Sequence, residues 1–160
     1  MNKVRSAVAV LSLSAAALVA MLGHEGYTDR AIQPLPGDKW TNGFGTTTRL
    51  DGTPLQPGEA TTPVKALARA LVDIQRFEGA LRQCVRVPLL QNEYDAFLSL
   101  AYNIGSNSFC GSTLARKLNA GDYPGACREI LRWDKFKGQP VRGLTLRREA
   151  EFKQCMETHQ

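Results

Sequence analysis

The chain has 160 residues, 43% of them hydrophobic and 22% charged, with a formal net charge of +5. That is enough for one compact domain with its own core, and the ordinary composition excludes collagen-like, repetitive and disordered classes. Two histidines, His24 and His159, and no Cys-x-x-Cys leave no zinc-hydrolase pattern, so neither a metal nor a cofactor is expected.

The first feature along the chain is a basic start with Lys3 and Arg5, followed by Ser6 to Gly23, eighteen residues without a charge. Such a stretch is near the lower limit for a membrane-spanning helix, and its positive flank predicts a cytoplasmic N-terminus with the remainder outside. Six alanines, three serines and a glycine dilute its leucines and valines, which weakens its hold on lipid. Three fates fit these residues: a cleaved signal with Ala15-x-Ala17 as the cleavage site, a permanent anchor, or a segment that inserts and later leaves.

Glu25 closes this segment. A Pro36-Gly37-Asp38 turn follows, and then Trp40 to Thr47 with Gly43-x-Gly45. Asp51-Gly52 marks a further turn, so a small antiparallel sheet is expected over this region. Thr62 and Pro63 read as the cap and first residue of a helix. Its apolar face is expected to run through Leu67, Leu71, Ile74, Phe77 and Leu81.

Leu89 to Ile104 is apolar over most of its circumference, which predicts a buried central helix ended by Gly105. Ser112 and Asp122 each cap a predicted helix, the first through Leu118 and the second through Ile130 toward Trp133. A last helix is expected from Thr145. Strands early and helices later make the chain α+β and mostly helical. The clustered cations of the second half suit a solvated surface or attraction to a polyanion. No recognition helix or aromatic-rich basic strand is visible, so no nucleic-acid partner is expected.

Four cysteines and an export-like leader suggest two disulfides, for which three pairings exist. Cys110–Cys127 and Cys84–Cys155 are the expected pairs, one tying neighbouring helices and the other pinning the last helix.

The chemistry-bearing candidates are Glu25, Asp38 and Thr41. An acid on a helix end and a second carboxylate on a nearby hairpin are the parts needed to cleave a glycosidic bond, with Glu25 as proton donor and Asp38 as the base that activates water. Asp29, four residues after Glu25, is a rival base on the same helical face. The Thr41 hydroxyl is suited to positioning the water. Trp40, Tyr102, Trp133 and Phe136 can stack on sugars or fill the core.

Glu25-Gly26 followed by Thr41-x-Gly43-x-Gly45-Thr46 resembles the catalytic signature of phage-type lysozymes. The likeness continues through Val87 to Cys127 and Gly143 to Glu151, nearly the whole chain outside the leader. The resemblance implies a lysozyme-like fold in which a small antiparallel β lobe and a larger helical lobe enclose a cleft for a polysaccharide strand. It implies a muramidase, active on bacterial peptidoglycan as a monomer in host-cell lysis. Glu25 and Thr41 match the family's acid and threonine. Its aspartate, six residues before the threonine, falls on Leu35, and the stretch between acid and threonine is one residue longer than usual. Asp38 is the nearest carboxylate in the hairpin. A lytic transglycosylase using Glu25 alone, or a non-catalytic peptidoglycan-binding protein, remains an alternative.

Residues 6–23 are similar to the signal-anchor-release segments of some phage endolysins. The expected organisation is therefore a releasable anchor over residues 1–23 and a catalytic domain over 24–160. The enzyme would reach the periplasm while initially tethered to the inner membrane.

Overall fold

The computed structural model describes residues 4–157, so Lys3 of the basic flank and His159 lie outside the described residues. The chain divides into two compact units, Val19–Arg76 and a larger one made of Met1–Leu18 with Phe77–Gln160. Helices α1 (Ala15–Glu25) and α2 (Pro63–Cys84) each contribute residues to both.

The smaller unit carries β1 (Thr28–Ile32) and β2 (Thr41–Gly43), an antiparallel pair with an irregular register that matches Thr28 with Gly43 and Ile32 with Thr41. Isolated bridges Arg30–Ala60, Asn42–Thr46 and Thr48–Pro54 extend it. The sheet therefore involves residues 28–32 as well as the expected region after Trp40. Gly43 has φ +59°, and a Cβ there would stand 2.8 Å from the Ala66 side chain. The β2 backbone thus lies directly on α2, which only small residues on both sides allow.

This close approach also corrects the expected face of α2. Its cap is as read, with Thr62 Oγ1 accepting the Lys65 N–H and Pro63 first in the helix. The buried positions, however, are Ala66, Ala70, Ile74, Glu78 and Leu81, whereas Leu67 and Leu71 are exposed. At Ala66 α2 turns an alanine inward because the Gly43 backbone packs against it.

The larger unit is built around α3 (Gln91–Ile104), whose residues 92–101 are all buried. Gly105, at φ +90°, ends the helix as expected. Four of its buried positions are polar or acidic, and each has a partner. Asn92 donates to the Gln154 and Cys155 carbonyls, Ser99 donates to Glu151, and Glu93 and Asp95 accept from the N-terminal segment. Around it lie α4 (Ser106–Cys110), α5 (Thr113–Asn119), α6 (Tyr123–Glu129) and α7 (Arg142–Met156). Ser112 and Asp122 cap α5 and α6 as predicted. The last helix begins three residues before Thr145, whose hydroxyl instead donates to the Val141 carbonyl in its first turn. A small hairpin, β3 (Lys135–Phe136) with β4 (Gln139–Pro140), precedes it, turning on Lys137 and Gly138 at positive φ.

The disulfides are Cys84–Cys110 and Cys127–Cys155, with Cα separations of 5.6 and 5.7 Å. This overturns the expected Cys110–Cys127 and Cys84–Cys155 pairs. The end of α2 meets α4 and the middle of α6 meets α7, so each cysteine bonds across a helix contact that periodicity does not reveal. Both bridges close loops of similar length, 26 and 28 residues. Removing Cys127–Cys155 by a double alanine substitution is expected to cost about 3–4 kcal/mol by chain-entropy arguments, read by urea denaturation. Peptide mapping without reductant should recover these two pairs.

The apolar N-terminal stretch is not one helix. Val8–Val10 forms a 3-10 turn, the chain runs extended, and α1 starts only at Ala15. Ser14 caps it, its Oγ accepting the Ala17 N–H at 3.1 Å. No helix among the described residues is long and apolar enough to cross a membrane.

Candidate active site

Glu25 is the last residue of α1 and is half-buried. The helix stops there because Gly26 takes φ +69° while its N–H still bonds the Leu22 carbonyl. A carboxylate at this point is carried by rigid backbone on one side and by a left-handed turn on the other.

The hairpin brings a second backbone against it. Gly45 has φ +84°, and a Cβ built there would lie 3.0 Å from Glu25 Oε2 and 3.6 Å from its Cδ. The Gly-x-Gly of the sequence therefore has two separate uses: Gly43 admits α2, and Gly45 admits the Glu25 carboxylate. Between them Phe44 stacks at a tilt on Tyr27, with ring centroids 5.4 Å apart. Asn42 and Thr46 close the turn through two mutual backbone hydrogen bonds of 3.0 and 3.1 Å.

Both residues closing the turn are buried and anchored. Asn42 Nδ2 donates to the Glu59 carbonyl at 3.1 Å, and Thr46 Oγ1 donates to Asp73 at 3.2 Å. Asp73 is held in turn by Arg69, one helical turn away on α2 and 3.0 Å distant, and Arg69 also donates to Thr48. Beside this, Arg49 pairs with Glu59 at 2.7 Å, and that hydrogen bond holds the Glu59 carboxyl below its ordinary pKa. These anchoring residues were not singled out from the sequence. The Arg69–Asp73 spacing of four is the one signal that marks them, and it reads as an ordinary surface pair.

Asp38 and Thr41 stand on the same hairpin that carries the Gly43–Gly45 turn. Asp38 lies half-buried in the β1–β2 connection, its N–H bonding the Leu35 carbonyl and its carbonyl accepting Gln33 Nε2. Thr41 opens β2, with its hydroxyl donating to the Lys39 carbonyl at 3.0 Å. Asp29 is not on a helical face with Glu25. Helix α1 has already ended, and Asp29 is an exposed residue of β1 whose carbonyl accepts the Thr61 N–H. Leu35 is also exposed.

The aromatic candidates fall in both units. Trp40 is half-buried in the smaller unit, and Tyr102 packs on Phe77 at 5.1 Å in the larger one. Trp133 lines a pocket of about 260 Å³ with Ser112, Thr113 and Arg132, and Phe136 is exposed under Lys137.

Residues 23–151 match the phage lysozyme family profile. The chain belongs to the phage lysozyme family. An endolysin of Acyrthosiphon pisum secondary endosymbiont phage 1 is 39% identical over 88% of this chain and 95% of its own length. A SAR-endolysin of Pseudomonas phage phiKMV is 34% identical over 93% and 89%. Among solved structures, the endolysin from Escherichia coli O157:H7 phage FAHEc1 superposes with a TM-score of 0.81 at 31% identity, covering 97% of this chain and 98% of that one. The mostly helical fold with a small sheet agrees with the α+β expectation. The chain is thus a lysozyme, an enzyme of peptidoglycan cleavage in host-cell lysis, and not a mere binder of the wall.

Within this lysozyme the Glu25–Gly45 approach gives a direct prediction. Gly45→Ala is expected to lower wall-clearing activity about 10- to 100-fold, because the added methyl displaces the carboxylate by a fraction of an ångström and strains a left-handed backbone. Turbidity loss of purified walls reads the effect. The same change at Gly52, also at positive φ with nothing within 4 Å of a built Cβ, controls for strain alone.

Proposed function

We propose that this lysozyme hydrolyses the β-1,4 bond between N-acetylmuramic acid and N-acetylglucosamine, with Glu25 protonating the leaving oxygen. The observation that carries the reading is the Gly45 backbone set against the carboxylate of Glu25. Asp38 with Thr41 directs water to the opposite sugar face, giving inversion, a chemistry that calls for carboxyls roughly 6.5–9.5 Å apart. Leu35, at the place of the family's aspartate, favours a second reading in which Glu25 acts alone as a lytic transglycosylase. Mass spectrometry of digested walls decides between them: hydrolysis leaves reducing muramic ends, whereas 1,6-anhydro ends would replace the proposal with the alternative. Asp38→Asn should lower the hydrolytic rate while leaving the fold intact.

The proposal includes the route to the wall. Residues 6–23 export the enzyme and tether it to the inner membrane, and release delivers it to the periplasm. Support comes from the uncharged segment with its positive flank and from the SAR-endolysin names among the relatives. A variant with leucines added to the segment should stay in the membrane fraction and lyse poorly. Parent-like lysis by a membrane-locked variant overturns this part.

A further inference from the structure

The N-terminal segment is bound in the larger unit by polar side chains of α2 and α3, three of them buried carboxylates. Arg5 meets Glu93 with two nitrogens, at 2.7 and 3.2 Å, and lies over the Tyr123 ring at 3.7 Å. Ser6 and Leu89 exchange two main-chain hydrogen bonds of 2.8 Å. Further along, the Leu13 N–H donates to Glu78 at 2.7 Å and the Ser14 N–H to Asp95 at 3.1 Å. Arg82 donates to the Leu11 carbonyl, and Gln91 Nε2 donates to the Ser12 carbonyl. Glu78, Glu93 and Asp95 are 7%, 0% and 4% exposed.

These contacts have one pattern. In an unbroken helix over residues 6–23, the N–H groups of Leu13 and Ser14 would bond the carbonyls of Ala9 and Val10. The carbonyls of Leu11 and Ser12 would likewise serve Ala15 and Ala16. A bilayer requires that arrangement, because it offers no other partners for the backbone. The folded protein replaces all four groups' helical partners with side chains of α2 and α3. Two carboxylates also face the start of α1, where the helix dipole favours negative charge.

We propose that Glu78, Arg82, Gln91, Glu93 and Asp95 form an internal binding site. Its ligand is the broken form of residues 5–14: a basic residue, a main-chain bridge and a helix start. The site selects that backbone conformation together with the buried Val8 and Leu11 side chains, which lets the segment leave lipid although Val10 and Val19 stay exposed afterwards. This deepens the release reading by naming what captures the segment.

The test uses the full chain in soluble form, with amide hydrogen exchange followed over residues 4–18. Glu78→Ala with Asp95→Ala should speed exchange of this segment at least tenfold while α5 to α7 keep their protection. Arg5→Lys retains the positive flank but loses the two-pronged pairing, and should speed exchange over residues 4–8. Glu93 is left alone because it also accepts the Leu90 N–H at the start of α3. Unchanged exchange in both variants overturns the binding site. If the double variant does not fold, Arg5→Lys alone decides. Membrane fractionation of the parent tests the tether separately, since a chain never found in the membrane removes the release reading without altering the exchange result.

Discussion

Glu25→Gln is expected to reduce clearing of purified cell walls by about a thousandfold while the protein stays folded and still sediments with walls. Loss of a positioned general acid typically costs 10²- to 10⁴-fold. The amide has the shape of the carboxyl, so the fit of the side chain against Gly45 is kept and only the transferable proton is lost. The residue is half-buried at a helix end, and urea denaturation checks that the variant remains folded. Activity above a tenth of the parent would mean that another group donates the proton, and the proposed mechanism would fall.

The largest stability effect is expected within the larger unit. Glu151, 3% exposed on α7, pairs with Arg147 and Arg148 at 3.2 Å each and accepts the Ser99 hydroxyl at 2.7 Å. Both arginines are buried, at 5% and 0% exposure. Glu151→Ala removes the carboxylate from between two guanidinium charges held out of water and should cost about 3–5 kcal/mol. That is a large share of the roughly 5–15 kcal/mol that holds a domain together. Glu151→Gln keeps an acceptor for Ser99 and should fall between parent and alanine. A urea midpoint for Glu151→Ala within error of the parent would show that the arginines' other bonds, those to Ser99 and Asn103 among them, are sufficient.

Neither cluster was equally visible in the sequence. Glu25 stood out because an acid at the end of an uncharged segment, before Gly26 and a Gly-x-Gly, is locally unusual. Glu151 did not, because the neighbouring cations Arg147 and Arg148 suit a solvated surface or attraction to a polyanion. The same limit applied to α3, where Glu93 and Asp95 are buried because the N-terminal segment brings them a guanidinium and an N–H. The sequence shows no such partner, since the contacts join residues 80 to 90 apart.

Caps and stops were legible: Thr62-Pro63, Ser112, Asp122 and Gly105 act within one helical turn, so their chemistry is complete in the local sequence. The family was legible for a similar reason, since its motifs are short and ordered along the chain. Which face of α2 turns inward, which cysteines pair and what Asp29 sits on were decided only in three dimensions. Ala66 rather than a leucine faces inward where the Gly43 backbone packs, disulfides follow helix contacts, and a left-handed Gly26 turns the chain from helix to strand before Asp29 is reached. Local hydrogen bonding is written in neighbouring residues, whereas packing depends on which distant surfaces meet.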